Sequence, residues 1–76
     1  MKAGKEHFGV SNVEYDIVTT LSNLLQAEEA LTKYAIDAEQ AGEQECAEIF
    51  RMIQQHNRQA AMQLRDMMAK KVAVAA

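Results

Sequence analysis

"AIDAEQAGEQECAEIF", residues 35–50, sets a single glycine between two runs that keep the apolar spacing of a helix. Gly42 supplies the residue that tolerates a left-handed C-terminal cap, so it predicts the end of one helix. The carboxylates Glu43, Glu45 and Glu48 follow at once and suit the positive end of a second helix dipole. Two helices joined by so tight a turn must run antiparallel.

Upstream of the turn, Ile17, Leu21, Leu24, Leu31, Ala35 and Ala38 hold a stripe of threes, fours and sevens without a breaker. The stripe begins after "VSNVEY", where Ser11 can cap, Glu14 completes a capping box and Val10 can staple to Tyr15. Downstream, apolar spacing resumes at Cys46, Ile49, Ile53, Ala60, Leu64 and Met67. The spacing predicts helix one over 12–41, a turn at 42–43 and helix two over 44–70. Residues 1–10 read as a lead-in and 71–76 as a frayed tail, all within one domain. Val18, Leu25 and Ile36 on helix one, with Phe50, Ala61 and Met68 on helix two, widen the apolar surface beyond one seam. A hairpin alone cannot cover that width. The expected architecture is therefore all-α, an antiparallel two-helix hairpin that dimerises into a four-helix bundle.

Composition narrows the function classes. Seventy-six residues with one cysteine can form no internal disulfide, and a chain this short needs a metal or a partner to be comfortably stable. A lone cysteine suits a reducing cytoplasm, no apolar run approaches the ~20 residues of a membrane span, and "MKAGKEHFGV" has no apolar signal core. A net charge of -3 without a basic stripe argues against nucleic acid as the main partner. No proline, three glycines and 49% hydrophobic residues favour helix over strand or disorder.

Each stripe is broken once by a polar residue. Position 28, between Leu24 and Leu31, holds Glu28; position 56, between Ile53 and Ala60, holds His56. Both lie fourteen residues from Gly42, so folding there brings them to about the same height. Three readings stay open. Glu28 can sit solvated at the stripe edge, can pair with His56 as a buried ion pair that fixes dimer register, or can join His56 and Gln59 as metal ligands. In the third reading a two-fold dimer gathers both sets in one bundle interior, suited to iron, manganese or zinc. Met52, Met62, Met67 and Met68 read as core filler, Tyr34 as a core aromatic and Cys46 as a small buried hydrophobe. No catalytic triad, phosphate loop or zinc-finger spacing is present.

The stretch "YAIDAEQAGEQECAEIFRMI", residues 34–53, followed by "AAMQL", residues 60–64, resembles the turn region of rubrerythrin-type proteins of the ferritin-like superfamily. The likeness spans about residues 24–65 and extends in length to encapsulated ferritins, two-helix subunits that complete their metal centre on dimerisation. It implies a Glu on the first helix, a Glu-x-x-His on the second, bound iron, ferroxidase-type oxidoreductase activity and an enclosing shell protein. Aligned without gaps through Gly42, the ligand positions fall on Leu24, Asn57 and Ala60. Aligned in the encapsulated-ferritin manner, they fall on Glu28, His56 and Gln59, of which Glu28 matches by type.

Overall fold

The computed structural model describes residues 11–75, with side chains through residue 71. The expected lead-in at 1–10, with Val10 of the proposed staple, and the last residue Ala76 lie outside the described residues. Two helices pack against each other, α1 over Asn12–Gln40 and α2 over Gln44–Ala75. α2 continues five residues past the expected end at 70, because "VAVA" contains no helix breaker.

Both helix ends around the turn are closed by backbone. The Gly42 N–H donates to the Glu39 carbonyl at 3.0 Å and the Glu43 N–H to the Ala38 carbonyl at 2.8 Å, the paired bonds of a Schellman cap. Gly42 takes φ +77°, which an L side chain adopts only under strain, although the space beside it is open. Ala47 N–H then donates to the Glu43 carbonyl at 3.0 Å and starts α2. At the other end of α1 the capping box is complete: Glu14 N–H donates to Ser11 Oγ at 3.1 Å, and Ser11 N–H to Glu14 Oε1 at 2.9 Å.

The first stripe holds on α1. Ile17, Leu31, Ala35 and Ala38 are buried, and Leu21, Leu24 and Glu28 are half-buried along the same line. On α2 the structure moves the line by one residue. The residues that face α1 are Ala47, Phe50, Gln54, Asn57, Ala61, Leu64 and Met68, alternating steps of three and four as in a coiled-coil seam. Of the expected stripe Leu64 stays half-buried on this line, whereas Ile49, Ile53, Ala60 and Met67 are exposed, and so is Cys46, expected as a buried hydrophobe. Beside the short turn the helices close on the small residues Ala35, Ala38 and Ala47, with Phe50 half-buried at the next seam position. Ala35 is 1% exposed and Ala47 0%, so alanine meets alanine where an isoleucine would force the helices apart. Tyr34, expected in the core, instead lies at the hairpin edge with its ring 5.8 Å from that of Phe50.

Candidate functional site

Glu28 does sit in the α1 seam, but its partner is not His56. Arg58 reaches across from α2, its Nε donating to Glu28 Oε2 at 2.9 Å while Nη2 donates to the same oxygen. The guanidinium is raised from its ordinary value by this hydrogen bond and by the charge of Glu28. The pair borders a shallow groove of ≈ 250 Å³ that is also lined by Leu24, Leu25, Asn57 and Ala61. One heptad nearer the turn, Arg51 Nη1 lies 2.8 Å from Glu39 Oε2, and this hydrogen bond holds the Glu39 carboxyl below its ordinary value. Arg51 and Arg58 therefore mark one side of the hairpin, with Arg65 seven residues further on.

Between the helices lies Gln54, 6% exposed and the buried polar residue of the seam. Its amide Nε2 donates to the Glu28 carbonyl at 3.0 Å and to Thr32 Oγ1 at 2.8 Å, while the Thr32 hydroxyl donates to the same carbonyl at 3.1 Å. This closed triangle ties one turn of α1 to one turn of α2. A satisfied polar residue at a seam position sets register, because sliding the helices would leave the amide buried without partners.

His56 and Gln59 lie elsewhere. Both are exposed, and helical phase carries them away from the line of Gln54, Asn57 and Ala61 that meets α1. Arg58 flanks that line on one side; Ile53, His56 and Ala60 flank it on the other. The structure thus brings Glu28 and His56 to similar heights on opposite sides of the hairpin. Equal distance from Gly42 fixed the height alone, and the one-residue shift of the α2 seam turned His56 outward. Among the described residues no group of three or more His, Cys, Asp and Glu is placed to hold a metal ion.

Sequence reasoning missed Arg58, Arg51 and Gln54. The spacing of seven in Arg51, Arg58 and Arg65 carried a signal, as did Ala47, Gln54 and Ala61 at the same interval. His56 belongs to a third sevenfold pattern. Cys46, Ile53, Ala60 and Met67, with Ile49 and His56 between them, form a second stripe that α1 leaves exposed. Near the turn that stripe meets a groove of ≈ 320 Å³ lined by Tyr34, Asp37, Ala38, Glu43, Cys46 and Phe50. No helix among the described residues is long and apolar enough to cross a membrane. No family model matches the chain, and neither the curated proteins nor the solved structures contain a significant match to it.

Proposed function

We propose that the chain is a self-associating helical hairpin, a non-catalytic scaffold module whose functional form is a homodimer or a higher assembly closing as a four-helix bundle. The observation that carries this reading is the second stripe of α2. Ile49 is 51% exposed, Ile53 40% and Met67 46%, and a helix with two heptad stripes is built to contact two neighbours. α1 occupies one stripe. Glu28 and Gln54 then serve the fold of each hairpin, pairing and registering its own helices. Light scattering or sedimentation is expected to give at least twice the 8.5 kDa chain mass for the folded species. A fully helical monomer at micromolar concentration overturns the proposal.

A second reading, ferritin-like metal binding, draws on the place of His56 within that same stripe. Association through it brings imidazoles from two chains together, with Gln59 one turn away, and neutral imidazole suits iron, manganese or zinc. Within this reading Glu28, paired with Arg58 on the other side of the hairpin, stands outside the ligand set. Adding Fe(II), Mn(II) or Zn(II) should then raise the melting temperature of the wild type and not of His56→Ala. Equal shifts in the two proteins remove His56 from the ligand set.

A further inference from the structure

The exposed stripe of α2 has its own centre of symmetry. Its sevenfold positions are Cys46, Ile53, Ala60 and Met67, and its intermediate positions Ile49, His56 and Gln63. His56 is the middle residue. When the stripe is laid antiparallel on a copy of itself about that centre, Ile53 comes within one residue of level with Ala60 and Cys46 with Met67, a large side chain near a smaller one, while Ile49 meets Gln63 and His56 meets its own copy. Such complementarity is what a two-fold interface requires, since the same patch must fit itself. A parallel arrangement would oppose Ile53 to Ile53 and Ala60 to Ala60, crowding one level and leaving a gap at the next.

Charge agrees with a second copy as the occupant. The cross-helix ion pairs Arg58–Glu28 and Arg51–Glu39 lie on the other side of the hairpin, and no Lys, Arg, Asp or Glu occupies the stripe positions from 46 to 67. Two like-charged chains can therefore meet there without burying an unpaired charge.

We infer that a second copy of this chain covers the Cys46–Ile53–Ala60–Met67 stripe, α2 against α2 and antiparallel, with the two-fold axis passing between the two His56 side chains. This rests on the self-association reading and adds its face, direction and register. Polar His56 at the centre then fixes register between chains as Gln54 does within one, because a slipped pairing places imidazole against Ile53 or Ile49.

Disulfide trapping with oxidised glutathione tests it on the full chain. The lone Cys46 of the wild type lies at one end of the stripe, six helical turns from its copy at about 1.5 Å per residue, so the wild type should stay uncrosslinked. Met67→Cys sets a thiol opposite Cys46 of the second copy and should give a covalent dimer. In a Cys46→Ser background, His56→Cys should crosslink rapidly across the axis, whereas Met62→Cys, exposed on the other side of α2, should not. Helicity by circular dichroism confirms that each variant folds. Rapid crosslinking of the wild type, or of Met62→Cys in place of His56→Cys, overturns the antiparallel face while leaving self-association intact. A folded wild-type monomer overturns self-association itself.

Discussion

At the scale of single residues, Glu28 and Gln54 divide between them what a carboxylate in an apolar seam at first suggests. The carboxylate leans to the rim, where Arg58 pairs with it in reach of water, and such pairs contribute little. The buried polar work falls to Gln54. Glu28→Leu should therefore melt within about 3 °C of the wild type, since an apolar side chain beside Leu24, Leu25 and Ala61 offsets the lost pair. It should also bind any added metal as the wild type does; loss of metal-induced stabilisation in this variant would restore Glu28 as a ligand. Gln54→Ala should cost about 1–2 kcal/mol, from the lost hydrogen bonds and the space left between the helices. Chemical denaturation at one protein concentration measures it, and a change below about 0.5 kcal/mol would remove Gln54 from the seam.

At the scale of the elements, each helix end is set by local chemistry that can be titrated. The Glu14 carboxyl is held below its ordinary value of 4.5, first by the Ser11 backbone N–H and then by the Ser11 hydroxyl, and Glu39 is lowered by Arg51. A carboxyl lowered in the folded state adds stability that is present above 4.5 and lost as pH falls through the lowered value. The start of α1 and the turn end of the Arg51 side should thus loosen in acid, below about pH 4. Ser11→Ala should cost about 1 kcal/mol at pH 7. Glu14→Ala removes the carboxylate that accepts from the Ser11 N–H, so its gap to the wild type should narrow as pH falls below 4.5 through the lowered value. Melting curves of Glu14→Ala and the wild type at pH 7 and in acid check this, and an unchanged gap would mean that the Glu14 carboxylate adds nothing to the cap.

At the scale of the whole molecule, the described core is thin. Its buried apolar residues are Ile17, Leu31, Ala35, Ala38 and Ala47, three of them alanines, while Ile49, Ile53 and Met67 stay in water. One seam of this kind supplies little hydrophobic stabilisation against the ordering of two long helices. Folding and association are therefore expected to be coupled. Across a dilution series, helicity at 222 nm and molecular mass should fall together, and the melting temperature should rise with protein concentration. A concentration-independent melting temperature would show that one hairpin stands alone.

The sequence alone determined the hairpin, because its signals are local. Ser11 and Glu14 meet within one turn, Gly42 takes the left-handed conformation wherever such a cap forms, and the α1 stripe is continuous enough to admit one phase. It placed Glu28 on the α1 stripe and left open whether the carboxylate meets water, a partner or a metal. The phase of α2 was decided only by tertiary structure. Two stripes one residue apart run along that helix, one with Cys46, Ile49, Ile53, Ala60 and Met67 and one with Ala47, Phe50, Ala61, Leu64 and Met68, and periodicity alone does not choose between them. The packing of α1 on α2 chooses the second, burying Ala47 beside the three-residue turn and leaving Ile49 and Ile53 exposed. Arg58 became the partner of Glu28 and His56 turned to the open face through that single choice, which no residue expresses by itself because it belongs to the distance between two helices.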